Sequence, residues 1–271
     1  EPAVAQLIDS PKLAYKSKET IDQAIVLNKK INMPNIMIKV PATDEGIDAI
    51  KILTNMGLNI NATLMFNQRH YNNVATAFLE GTINYSQKLL PFSVASFFVS
   101  RVDTEIDKLL VDKDKNHKLL GKTAIINSRL AYITFLKKFP NQNKKPLQKP
   151  LWGSTGTKNP NYSDSVYIDK LIAPNTVNTV PLDTIEKFAK KGKPENYNGW
   201  NEKEILSQLS DLNKMGIDLN QITENLQTKG VQLFVDSFDN LINSIKNSKV
   251  EEIVDCENEI NSEIDQKQNE I

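Results

Sequence analysis

Apolar and polar positions along the chain keep changing period. Short runs of clustered β-branched and aromatic residues alternate with longer stretches whose apolar residues recur every three or four positions. The short runs predict strands over 36–40 (Ile-Met-Ile-Lys-Val), 59–66, 94–99, 150–155 and 175–180. Between the first two, Thr43 suits a helix N-cap, Asp44 and Glu45 suit the positive helix start, and Ile47, Ile50, Leu53 and Met56 form an apolar stripe that Gly57 ends. A second helix is predicted over 68–81, burying Tyr71, Val74, Phe78 and Leu79. Two more are expected near 102–112 and 115–138, the latter carrying Leu119, Leu120, Ile126, Leu130, Ile133 and Leu136.

Residues 139–150 hold Pro140, Pro146 and Pro150, which forbid a helix and would weaken a central strand, so this stretch reads as a connector. Beyond the fifth strand the pattern is helical, with Asp183/Glu186 and Asn201/Glu204 placed as capping pairs and a stripe of Leu233, Phe234, Phe238, Leu241 and Ile245. From about Lys249 large side chains become sparse. The expected division is therefore a folded part over 1–248 and a frayed polar tail over 249–271.

Strands alternating with helices imply a parallel sheet covered on both faces. Five parallel strands cannot close an eight-stranded barrel, which leaves a doubly wound sheet or a barrel lacking its beginning. The chain opens with Glu1 rather than methionine and runs into a helix-like stretch with no strand before it, so further strands are expected upstream.

Composition narrows the function. Thirty-three basic and thirty-three acidic side chains cancel, so no global field draws nucleic acid or an anionic membrane, and any anion site must be local. The lone Cys256 excludes an internal disulfide or a zinc site built on cysteines. No apolar run approaches the roughly 20 residues of a membrane span, and no signal-peptide pattern opens the chain. The expectation is a cytoplasmic protein that binds neither nucleic acid nor membrane. His70 and His117 lie among polar residues and read as solvated helix faces.

The most informative residue is Lys39, inside an apolar strand. Alternation puts it on one face with Met37, and Ile36, Ile38 and Val40 on the other. A lysine buried at a strand end loses affinity for its proton and becomes a nucleophile for a carbonyl, whereas one that snorkels to water stays an ordinary ammonium. Periodicity alone leaves both readings open.

The surrounding motifs add a resemblance. Ile38-Lys39-Val40-Pro41-Ala42-Thr43, Asn61-Ala62-Thr63-Leu64-Met65-Phe66, Ala95-Ser96-Phe97-Phe98-Val99-Ser100-Arg101-Val102-Asp103 and Trp152-Gly153-Ser154-Thr155-Gly156-Thr157-Lys158-Asn159-Pro160 resemble, in order and approximate spacing, the strand-end motifs of transaldolases. Residues 172–181 resemble the last strand, and the likeness over roughly 1–245 is greatest to the long bacterial branch. It implies a TIM (β/α)8 barrel of which only about the last five strands, numbers four to eight, are present.

The resemblance makes Lys39 the Schiff-base lysine, Thr63 the holder of the catalytic water, and Asn61 a pocket residue. Ser96 becomes a substrate-binding serine, Arg101 the phosphate-gripping arginine, and Ser154 a second phosphate-binding serine. An ion pair of Arg101 with Asp103 or Glu105 is the rival account of that arginine. Position 156 is glycine where an arginine is expected, so Lys158 is the substitute cation. The Gly-Thr-Lys stretch lacks the glycine spacing of a nucleotide phosphate loop. The family's aspartate, asparagine and glutamate of the first three strands would fall upstream of Glu1, and Glu1 is no substitute for the glutamate.

The implied activity is transfer of a dihydroxyacetone unit between sugar phosphates in the pentose phosphate pathway, with no metal or organic cofactor. An aldolase resembling fructose-6-phosphate aldolase, and an inactive sugar-phosphate-binding fragment, are the alternatives. The isolated 271 residues are expected not to turn over.

Overall fold

The computed structural model describes residues 5–8, 10–83, 85, 90–142 and 146–268. By contacts the chain divides into a unit Glu1–Val231 and a unit Gln232–Ile271. In the first unit, strands β1 (Ala5–Ile8), β2 (Ile36–Pro41), β3 (Ile60–Met65), β4 (Ser93–Phe98), β5 (Gln148–Gly153) and β6 (Val177–Asn178) form one sheet in the order β1-β2-β3-β4-β5-β6. Every pairing is parallel. Helices α1 (Ser17–Ile31), α2 (Asp44–Asn55), α3 (Gln68–Ile83), α4 (Ser100–Lys113), α5 (Thr123–Lys138) and α6 (Val166–Leu171) make the crossovers. Helices α7 (Leu182–Lys191) and α8 (Glu202–Lys214) follow, and α9 (Leu219–Gln268) begins in this unit.

Strand order decides between the two architectures left open by the sequence. A doubly wound sheet reverses direction at a switch point, whereas here each strand is added beside the last, as in a (β/α)8 barrel. Among the described residues the strands number six rather than the expected five, because Ala5–Ile8 pairs with the Lys39 strand. This run was missed because it is four residues long and contains Gln6, too short for alternation to register. The strand preceding the Lys39 strand is thus within the chain, not upstream of it. Glu1 lies outside the described residues.

Local chemistry explains most boundaries. Thr43 Oγ1 accepts from Gly46 N–H at 3.0 Å, capping α2, and also donates to the Ala14 carbonyl. Gly46 must be glycine, since a Cβ there would stand 1.9 Å from the Pro41 carbonyl oxygen. Asn201 caps α8 by accepting from Lys203 and Glu204 N–H. Asp183 does not cap; Pro181 occupies the N-cap of α7 and Asp183 falls in its first turn. Helix α5 begins at Thr123 rather than near 115, because Gly121 takes a left-handed φ of 65° just before it.

β5 begins at Gln148, two residues before the predicted strand over 150–155, so the connector read over 139–150 ends sooner; Pro150, common to both expectations, lies inside β5 opposite Ala95. β6 pairs only with Leu151 and Trp152, so Pro150 lies beyond its reach and its missing N–H breaks no bond on that side.

The outer sheet face packs against the helices through Ile38, Val40, Ile60, Phe97 and Trp152, each at most 1 % exposed. Edge-on contacts join Tyr71 to Phe97 and Phe97 to Trp152, and Trp152 Nε1 donates to the Leu171 carbonyl at 2.9 Å. In the second unit, the helical assignment of α9 continues through the polar stretch to Gln268. Leu233, Leu241 and Ile245 of that unit are exposed.

Candidate active site

Register places the candidate residues on one sheet face. Residues paired across parallel strands share a face, so the backbone pairs Gln6–Met37, Lys39–Asn61 and Pro41–Thr63 align β1, β2 and β3 there. Asn61 and Thr63 are buried, at 1 % and 3 % exposure, and Lys39 is half-buried. Burial depresses the Lys39 pKa below the usual lysine range, which enlarges the neutral-amine fraction.

The amide of Asn61 is held from both sides. Its Nδ2 donates to Gln6 Oε1 at 2.9 Å and its Oδ1 accepts from Ser96 Oγ at 2.7 Å. This chain of contacts across β1, β3 and β4 brings Ser96 to the predicted pocket and adds Gln6, which sequence reasoning overlooked along with its strand. β1 spans Ala5, Gln6, Leu7 and Ile8, so it sets an amide, not a carboxylate, beside this network. Thr63 Oγ1 is buried and has no hydrogen-bond partner among the described residues. An unsatisfied buried hydroxyl is costly, so this atom is suited to a water or a substrate group.

Just after Thr63 the chain bulges. Three steps along β3, from Ala62 to Met65, oppose two along β4, from Ala95 to Phe97, and Leu64 takes a left-handed φ of 60°. A non-glycine residue in that region persists only where its surroundings hold it.

Arg101 lies in the first turn of α4, with its guanidinium carbon 5.3 Å from the Phe98 ring centroid. It forms no ion pair with Asp103 or Glu105. Asp103 instead accepts from Ala124 N–H at 2.7 Å and Tyr167 Oη–H at 2.9 Å, and Glu105 pairs with Lys108. Burial pushes the Asp103 carboxyl up to about 7 despite these two donors, with the Asp107 charge adding to the rise. One turn on, Asp107 accepts from Gly121 N–H and Tyr162 Oη–H, so two carboxylates moor α4 to the chain ahead of α5 and to the segment beyond β5.

Ser154 takes a left-handed φ of 54° just past β5. Its carbonyl accepts from Ser100 N–H at 2.9 Å and its hydroxyl stands 3.0 Å from Ser100 Oγ. Ser100, the first residue of α4, was missed; its place between a strand end and Arg101 was the available signal. Two hydroxyls at the start of α4, with Arg101 the next residue in its first turn, are groups of the kind that suit an anion. Lys158 is not joined to this group. It is exposed and lines a groove of about 670 Å³ with Asp103, Asp107, Lys108 and Tyr162.

His70 corrects the sequence reading. It is 1 % exposed, its Nδ1 accepts from Phe66 N–H at 3.3 Å, and its Nε2 faces Glu224 Oε2 at 3.2 Å. Burial depresses its pKa, so the contact is a neutral N–H donating to a carboxylate while Arg69 supplies the charge, 2.7 Å from the same oxygen. A polar sequence neighbourhood concealed the burial because the covering residues come from α9, more than 150 positions away. Among the described residues no cluster of three or more metal-ligating side chains occurs, and no helix is long and apolar enough to cross a membrane.

Comparison with known proteins bears on the family of the chain. Residues 9–245 match the family model described as transaldolase/fructose-6-phosphate aldolase. A transaldolase of Saccharopolyspora erythraea is 39% identical over 251 residues, covering 87% of this chain and 68% of that protein. A transaldolase of Mycobacterium tuberculosis is 38% identical over 248 residues, 86% of this chain and 66% of its own. A transaldolase of Frankia alni is 38% identical over 249 residues, 87% and 67% respectively. The chain spans about two thirds of the length of these relatives. A match over most of the chain, on a parallel sheet with barrel connectivity, means that the chain belongs to the transaldolase/fructose-6-phosphate aldolase family.

Proposed function

We propose that the protein is a transaldolase that passes a dihydroxyacetone unit from sedoheptulose 7-phosphate to glyceraldehyde 3-phosphate, giving erythrose 4-phosphate and fructose 6-phosphate. The observation that carries the reading is Lys39, half-buried with a depressed pKa, in register with Asn61 and on the face of Thr63. In this reading the Lys39 amine attacks the ketone carbon, water leaves, and an iminium forms. The water held at Thr63 Oγ1 relays the proton of the C4 hydroxyl to one of the family's carboxylates, the C3–C4 bond breaks, and its electrons pass into the iminium. Erythrose 4-phosphate departs. The remaining enamine adds to the acceptor aldehyde, and hydrolysis of the new iminium frees fructose 6-phosphate and Lys39.

Asn61 and Ser96 would hold the hydroxyls of the three-carbon unit, since each retains hydrogen-bonding capacity beyond the contact they share. Ser100, Arg101 and Ser154 would anchor the phosphate. Anchoring there is remote from the breaking bond, so its binding energy positions the substrate for the step at Lys39. The role assigned to Lys158 is narrower: it would add charge near the anchor without touching it. We further propose that the sheet is an arc of a complete eight-stranded barrel in the whole protein, and that the protein works in the cytoplasm.

The test is borohydride reduction of the full-length protein with fructose 6-phosphate, followed by peptide mass spectrometry. A reduced adduct on the Lys39 peptide is expected; its absence overturns the reading. Release of free dihydroxyacetone without an acceptor would instead mark the aldolase activity that shares the family's name.

A further inference from the structure

The first turns of α9 reach the strand ends that carry Lys39 and Thr63. Gln227, 8 % exposed, directs its Nε2 at two main-chain carbonyls: Ala42, at 2.8 Å, and Leu64, at 3.1 Å. Ala42 lies three residues beyond Lys39, and Leu64 follows Thr63 directly. The two strand ends already share a bond, from Ala42 N–H to the Thr63 carbonyl at 2.8 Å. Gln227 thus closes the β2–β3 ladder where its own pairing stops.

The need for such a closure is visible in the backbone. Leu64 is the left-handed residue of the β3 bulge and follows Thr63 directly. Surrounding contacts must hold it. Gly230, one turn after Gln227, lets the helix come close: a Cβ there would stand 2.9 Å from Leu64 Cδ2. Below, Asn67 Nδ2 donates to Thr223 Oγ1 at 3.0 Å and to Glu224 Oε1 at 2.9 Å, and Arg69 and His70 bind the same carboxylate. Hydrogen bonds from Arg69 and Asn67 and the contact with His70 outweigh the burial that would raise the Glu224 carboxyl, and hold it at about 2. The start of α9 is therefore pinned to the end of β3 at several points.

We infer that Gln227 is a positioning residue for the Lys39 reaction: its amide fixes the strand end bearing Lys39 against the bulge that aims Thr63. The inference rests on the proposed Schiff-base reading. Steps that need only Lys39 then tolerate loss of the amide, and steps that need Lys39 and Thr63 together do not.

The test uses Gln227→Met in the full-length protein, which keeps the side-chain volume and removes both donors. The expected result is an adduct still trapped on Lys39, KM within about twofold of wild type, and kcat for carbon–carbon cleavage lower by about tenfold or more. Gln227→Asn, a methylene shorter, should fall between the two, and it replaces Gln227→Met if that variant does not fold. Unchanged kcat per folded molecule, with only the unfolding temperature lowered, overturns the inference and leaves Gln227 a structural residue. Absence of a Lys39 adduct in the wild type overturns the Schiff-base reading and this inference with it.

Discussion

Lys39 on β2 pairs through its backbone with Asn61 on β3, and the amide of Asn61 is fastened to Gln6 on one side and Ser96 on the other. The lysine therefore shares a sheet face with polar side chains that are oriented by their own hydrogen bonds. Under the proposed function, side chains held in this way would not have to reorganise for a substrate.

The depressed Lys39 pKa has a direct consequence. Below the folded pKa the amine is an ammonium and cannot attack a carbonyl, so adduct formation falls as pH falls. The inflection should lie below the 10.5 of an ordinary lysine. Rates of borohydride trapping measured across pH check this, and an inflection at or above that value would contradict it. Lys39→Arg should abolish trapping, because the guanidinium stays protonated.

Among the described residues Thr63 Oγ1 has no hydrogen-bond partner. Thr63→Val should consequently leave the unfolding free energy within about 1 kcal/mol of wild type while slowing turnover by on the order of a hundredfold. Denaturation and steady-state kinetics on the same preparation separate the two effects. A variant as fast as wild type would remove Thr63 from the mechanism.

Arg101 is expected to matter in proportion to the phosphate. Arg101→Lys keeps the charge but loses the planar fork, and should raise KM for fructose 6-phosphate by about tenfold. Trapping of unphosphorylated fructose should not change. Equal losses with both sugars would place Arg101 outside the phosphate anchor.

Asp103 makes stability depend on pH in an unusual direction. Its carboxyl titrates near 7 when folded, against 3.8 unperturbed, so between these values the folded protein retains a proton that the unfolded chain has released. Stability from this group is then lost as pH rises from about 4 to about 7. Asp103→Asn, which can still accept from Ala124 N–H, should flatten that slope in denaturant titrations. An unaltered slope would show that Asp103 is ionised throughout.

Chemistry set by neighbours along the chain was legible from sequence. Thr43 and Asn201 cap their helices as their spacing implies, since a cap joins atoms two or three residues apart. Alternation around Lys39 gave its face correctly, because side chains on a strand change sides at every residue. Order of motifs carried the family, and with it the set of candidate residues. Short elements fared worse: β1 has too few residues to show a period, and its loss from the reading misplaced the strand beside Lys39.

Tertiary structure decided what depends on residues distant in sequence. His70 looked solvated until Glu224 covered it, and Asp183 lost its capping role to the backbone at Pro181. Pro150 fits β5 because β6 ends short of it. Leu64 turns left-handed within the β3 bulge, and its carbonyl accepts from Gln227, a residue more than 160 positions away. The amino-acid sequence by itself determined which side chains could act and which way each strand presents them, for these follow from periodicities of two to four residues. Burial, backbone strain and the spacing between Lys39 and Thr63 arise only when separate segments pack, because solvent exclusion and long-range hydrogen bonds are properties of the assembled fold.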